Sequence, residues 1–146
     1  MTGSYRILDH VALADTAYEA VGDSPGELCN AAGRALMEIM ANPGTIGTSW
    51  NTIVDCQAET LSDLLFDWLN QLVFLKDVHS VVFHHAEVVV SEQANPPCWR
   101  LRASVFGAPV DPGRQELRAD VKAVTKHLYS VDHVGTEWCA RIVLDV

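Results

Sequence analysis

The stretch TLSDLLFDWLNQLVFLKDVHSVVFHHAEVVVSE, Thr60 to Glu92, changes its repeat partway along. In its first half Leu61, Leu64, Leu65, Trp68, Leu69, Leu72 and Val73 recur at intervals of three and four, which is the apolar face of a helix. Thr60 followed by Asp63 has the spacing of a capping box, with Asp in place of the usual Glu. From His79 onward the period becomes two, the signature of a strand with one face buried. A helical pattern that passes straight into a strand pattern predicts a chain that mixes the two.

The same reading extends in both directions. Downstream, WRLRASVFG, ADVKAVTKHLYSV and EWCARIVLDV read as strands, with Asn95-Pro96-Pro97 and Asp111-Pro112-Gly113 as turns. Upstream, DSPGELCNAAGRALMEIMANPG reads as a helix. Ser24 suits its cap, Pro25 its first position, and Asn42-Pro43-Gly44 its stop. Leu28, Ala31, Ala32, Ala35, Leu36, Ile39 and Met40 form its buried stripe. SWNTIVDCQAE reads as a strand, and Tyr5–Val11 and Thr16–Val21 as two short ones. With no repeat, linker or low-complexity segment, residues 1–146 read as one α+β domain, a largely antiparallel sheet or sheets packed with two main helices.

The 146 residues are enough for one hydrophobic core. A net charge of −9 argues against direct binding to nucleic acid or anionic lipid, so any RNA is expected to be held by a partner. Phosphate loops, nucleophile elbows and dinucleotide loops are absent from the sequence. Cys29, Cys56, Cys98 and Cys139 show no CxxC pair, and they read as reduced core thiols, not a zinc site. The N-terminus lacks the pattern of a signal peptide, and no apolar run approaches the roughly 20 residues of a membrane span. A soluble, cytoplasmic protein is the expectation.

Several ionisable groups invite a chemical role. His84 and His85 are adjacent in a strand pattern, so regular pleating would turn them to opposite faces and let one at most join a given site. Lys122 and His127 likewise fall on opposite faces unless a bulge intervenes. At the C-terminus, Trp138, Ala140, Ile142, Leu144 and Val146 alternate with Glu137, Cys139, Arg141, Val143 and Asp145. A chain ending on Asp145-Val146 puts its terminal carboxylate beside the Asp145 side chain, and such a pair repels unless a cation intervenes. Oxygen ligands of this kind suit Ca²⁺, Mg²⁺ or Mn²⁺. Spacing alone leaves open whether the end is simply solvated.

Taken together, these motifs resemble the archease family over almost the whole chain. LLFDWLNQLVFL looks like that family's central helix, and VKAVTKH (121–127) resembles its VKAVTYH strand. GAPVDPGRQE is similar to the approach to that strand, and VLDV matches the family's Asp-Ile or Asp-Val ending. In the family's DHTADxxxxxxG motif the second Asp precedes a Gly by seven positions, as Asp15 precedes Gly22 here.

The resemblance implies an archease fold and a role as activator, not enzyme, of an RtcB-type tRNA-splicing RNA ligase. That ligase joins RNA ends bearing a 2′,3′-cyclic phosphate or 3′-phosphate to a 5′-hydroxyl after one of its histidines is guanylylated. The resemblance also implies a divalent metal ion held by Asp15, Asp145 and the Val146 carboxylate, with Lys122, His127 and His10 as partner- or nucleotide-facing residues. Self-association is left open. A chaperone-like scaffold with a structural metal is the alternative. Four positions depart from the family pattern: Ala12 stands where its His would be, Ala108 for Glu, Gln115 for His and Lys126 for Tyr. Asp9-His10 sits two residues upstream of the usual place, and a bulge in the first strand would return it.

Overall fold

The computed structural model describes residues 3–8 and 15–146, with residue 15 described by its backbone alone. Their order is β1 (Ser4–Leu8), β2 (Asp15–Gly22), α1 (Pro25–Met40), β3 (Trp50–Ala58), α2 (Leu61–His79), β4 (Val81–Ala94), β5 (Pro97–Pro109), β6 (Ala123–Val134) and β7 (Glu137–Asp145). The fold is α+β, with two antiparallel sheets. One runs β1-β2-β7-β6 and the other β3-β5-β4.

Both helices start as their sequences dictate. The Ser24 hydroxyl accepts from the Glu27 amide at 3.1 Å, and the Thr60 hydroxyl accepts from the Asp63 amide at 3.1 Å. Asn42-Pro43-Gly44 ends α1 and leads into a 3₁₀ turn, Pro43–Thr45. The stripes named from spacing are buried in both helices. In α1 burial extends around most of the circumference, because β2 of one sheet and β4 of the other both pack on it. That explains the run of alanines, since a helix between two sheets has little room for large side chains.

One core cluster joins the helices to both sheets, centred on Trp68, Tyr18, Phe83, Leu36 and Ile142. Its two largest polar-tipped members are satisfied: Tyr18 donates to the Ala32 carbonyl at 2.9 Å, and Trp68 Nε1 donates to the Cys29 carbonyl at 3.1 Å. Burial with no compensating charge pushes the Tyr18 phenol well up. Cys29 and Cys56 are core thiols as expected. Cys98 and Cys139 are only partly buried, which corrects the sequence reading for these two. Among the described residues no helix is long and apolar enough to cross a membrane.

Two strand readings need revision. The strand expected from Ala119 begins only at Ala123. The expected alternation of His84 and His85 is broken by a bulge between Phe83 and His85. Val11, the expected end of the first strand, lies outside the described residues.

Candidate metal centre

Strand β7 lies between β2 and β6, so its C-terminal end is flanked on both sides. The ladder pairs Asp15 with Asp145 on one side and Ala123 with Asp145 on the other. One residue earlier, the Lys122 amide donates to the Asp145 carbonyl at 2.8 Å. The start of β2, the end of β7 and the approach to β6 therefore meet at one end of this sheet. Directly opposed positions of an antiparallel ladder share a face, so the register sets two Asp positions opposite each other. Like charges so placed are unfavourable without a cation, and a carboxylate set fits a hard ion such as Ca²⁺ or Mg²⁺.

Asp145 and Val146 are half-buried and Lys122 is exposed. Asp9, His10 and Ala12, together with the Asp15 side chain, lie outside the described residues. Among the described residues no group of three or more His, Cys, Asp or Glu is arranged to hold a metal ion.

The face that carries Asp145 is not a purely solvated one. Ala17 and Val143, the next pair along the ladder, are fully buried. One further step along, Arg141 pairs with Glu19 and Ser130, and its Nε is buried without a hydrogen-bond partner. Arg141 was legible as a residue of the Asp145 face, but nothing in the spacing marked it as short of a partner.

Lys122 is positioned by the segment 110–122, which is irregular for a physical reason: the amides of Arg118 and Ala119 serve helix α1 instead of a neighbouring strand. The last turn of α1 carries no basic residue, and its final carbonyls need donors. Ala119 N donates to Ile39 O at 3.0 Å, Arg118 N to Met40 O at 2.9 Å, and the Arg118 guanidinium to Glu38 O at 3.0 Å. The segment is also tied to α2. Lys76, with 10% of its side chain exposed, contacts Asp120 at 2.7 Å and Asp77 at 2.8 Å. Burial pulls the Lys76 ammonium down, but Asp120 and Asp77 outweigh it and the net shift is upward. The Lys76 hydrogen bond holds the Asp120 carboxyl below its usual range. The backbone is thus anchored two residues before Lys122.

His127 is exposed within an irregular stretch of β6, where the register shifts between Thr125 and Ser130 and Leu128 has φ of 54°. This bulge removes the strict alternation that separated His127 from Lys122. Three of the departures from the resembled motif make contacts that do not include Asp145, and the fourth, Ala12, lies outside the described residues. Lys126 Nζ lies 4.0 Å from the centre of the Phe66 ring and 3.5 Å from Asp63, so it packs on the first turns of α2. Gln115 ties its own loop, accepting from Asp111 N at 2.7 Å and donating to Pro109 O at 2.9 Å. Ala108 joins a small apolar cluster with Ala41, Ile46 and Val82, where an ionised Glu would be costly.

Known proteins share this architecture. The model of the archease protein family matches residues 5–146. An archease of Methanopyrus kandleri is 29% identical over 133 residues, covering 91% of this chain and 94% of that protein. The archease of Archaeoglobus fulgidus is 29% identical over 143 residues, covering 97% and 98%. The solution structure of a Methanobacterium thermoautotrophicum protein superposes with a TM-score of 0.79 at 25% identity, covering 97% of this chain and 98% of that one. A Thermotoga maritima crystal structure, named as an archease and possible chaperone, gives a TM-score of 0.61 at 22% identity over 91% of each chain, which is a likeness of fold. With its sequence matched from Tyr5 to Val146 and its fold shared, this chain belongs to the archease family.

Proposed function

We propose that this chain is a non-catalytic activator of an RtcB-type RNA ligase, promoting guanylylation of the ligase and its turnover. Asp15, Asp145 and the Val146 carboxylate would hold a divalent ion such as Ca²⁺, Mg²⁺ or Mn²⁺, with Lys122 beside them. The reading is supported above all by the register that pairs Asp15 with Asp145 while the Lys122 amide is bonded to the Asp145 carbonyl. A bound ion supplies charge neutralisation and a template. Around it Asp145 and the chain end would orient an acidic surface, and the exposed Lys122 side chain would meet a phosphate or an acidic group of the partner. With a net charge of −9, RNA is reached through the ligase and not by this chain.

The test uses the ligase of the same organism. Adding this protein should raise the guanylylated fraction and the number of turnovers, and Asp15→Ala or Asp145→Ala should abolish the gain. A wild-type protein without effect on its own ligase refutes the proposal.

One observation favours the chaperone-like alternative. Phe74 and Val78 stand one turn apart on α2 with 54% and 58% of their surface exposed. Protection of unrelated unfolding proteins from aggregation, unchanged by Asp145→Ala, would select that reading.

A further inference from the structure

Where helix α1 begins, one cavity of about 540 Å³ is lined by an indole from each sheet, Trp99 of β5 and Trp138 of β7, with Val90 and Glu92 of β4 and Ser24 beside them. Trp138 stands at the start of β7 and Asp145 at its end, so this cleft lies at the far end of the strand from the candidate metal centre. Both indoles are half-buried and pack on the core cluster from different sheets. Trp138 is braced by His133, its neighbour across the β6–β7 ladder, with ring centroids 3.8 Å apart and planes within 6°. Glu92 sits directly opposite Trp99 in the β4–β5 ladder, and directly opposed residues share a face. Its strand gives that face to the core, since Val88 is buried there and Val90 packs against the cluster. Glu92 is exposed, and among the described residues no Lys, Arg or His pairs with it.

A carboxylate beside a partly open indole offers the two groups that hold an organic cation, a counter-charge and the face of the aromatic ring that attracts cations best. The start of α1 would instead invite an anion, but that helix end is already satisfied. The Ser24 hydroxyl accepts from the Glu27 amide at 3.1 Å, the Glu27 carboxylate accepts from the Asp23 amide at 2.7 Å, and Pro25 has no N–H to offer. An anion entering the cleft would also meet Glu92. We propose that the cleft takes the guanidinium group of an arginine side chain presented by a basic partner protein. The planar group stacks on indole while its N–H donors meet the Glu92 carboxylate. Guanidinium is more weakly hydrated than ammonium and suits both contacts, so arginine is preferred to lysine. The net charge of −9 draws a basic surface toward the chain, and the cleft gives that attraction a specific point of entry.

The test titrates untagged full-length protein with a Gly-Arg-Gly peptide blocked at both ends and follows the indole N–H signals of the 4 tryptophans by NMR. Trp99→Phe and Trp138→Phe identify their own signals. Saturable shifts are expected for Trp99 and Trp138, while Trp68, fully buried, and Trp50, which lies against His79, stay fixed. Glu92→Gln should weaken binding by about tenfold with no change in the melting curve. Glu116→Gln removes the same charge from the loop before β6 and should bind as wild type does. The matching peptide with citrulline, neutral and nearly isosteric, should lose about as much as Glu92→Gln, and the lysine peptide should bind more weakly than the arginine one. If Glu92→Gln retains wild-type affinity, if the citrulline peptide binds as well as the arginine peptide, or if the Trp99 and Trp138 signals do not move, the cleft is not a cation site and the proposal fails.

Discussion

Asp145→Asn separates a metal-binding role from a structural one, because the two predict opposite changes in stability. The register sets positions 15 and 145 directly opposite. At such positions the Cβ atoms lie about 5 Å apart, and like charges there are destabilising. Two unit charges about 5 Å apart repel by about 1 kcal/mol in a water-like dielectric and by about 3 kcal/mol in the effective dielectric near a protein surface. Asp145 is half-buried, so the effect should fall between these limits in physiological salt. In chelator, Asp145→Asn should therefore be more stable than wild type. At about 2 to 4 °C per kcal/mol for a chain near this size, the melting temperature should rise by several degrees.

Excess Ca²⁺ or Mn²⁺ should reverse the order. An ion present at about 100 times its Kd stabilises the wild type by about 2.7 kcal/mol. The variant, lacking one charged ligand, should barely respond. Differential scanning fluorimetry of both proteins in EDTA and in a metal series measures all four values. If Asp145→Asn is less stable in EDTA, or if both proteins respond equally to metal, the opposed carboxylates do not form a cation site.

Other expectations follow from the packing. Gly107→Ala should cost more than about 3 kcal/mol in a denaturant melt, since backbone would have to move off the Val82 carbonyl, and the His84–His85 contact should be lost with the bulge. Asp120→Asn removes one partner of Lys76. Because the folded Asp120 carboxyl is held low, its contribution is present above the unfolded carboxylate pKa of about 3.9 and is lost as pH falls through the folded value. Exposure of Asp120 limits the effect to under about 1 kcal/mol; the gap between wild type and variant should be level near neutrality and close in acid. Burial pushes the Cys29 thiol to about 12 and Cys56 to about 11, so neither should react with Ellman's reagent in the native protein. Cys98 should react first and Cys139, raised by burial and by Glu137, more slowly, with all four reacting in guanidinium. Loss of the fast phase in Cys98→Ser checks the assignment.

The parts of the fold that could be read in advance are those where a local pattern has a single physical solution. Ser24 and Thr60 cap because a helix start leaves amides without partners, and the stripes of α1 and α2 have only one buried orientation. The meeting of Asp15 with Asp145 was expected through motif resemblance, since no local rule predicts which distant strands pair. What could not be read were departures from regular strand geometry. Period-two counting assumes flat pleating, so it turned His84 and His85 apart and began a strand at Ala119. In the molecule Gly107 permits a bulge at His84, and the amides of Arg118 and Ala119 are claimed by the end of α1. Both outcomes depend on partners far away in sequence. Cys139 was misjudged for a related reason: alternation names the two faces of a strand without saying which parts of each face are covered.

The place of β7 in its sheet bears on how the chain comes off the ribosome. It is the last described strand in sequence order, yet it is the strand that joins β6 to the β1–β2 hairpin. Until those nine residues have emerged, the β1–β2 hairpin and β6 have no common partner, and the two Asp positions cannot meet. The half of the domain built on β3, β4 and β5 has all its strands available earlier. Meeting of the two Asp positions thus waits for the latest strand of this sheet to emerge, after the β3–β5–β4 sheet has all of its strands.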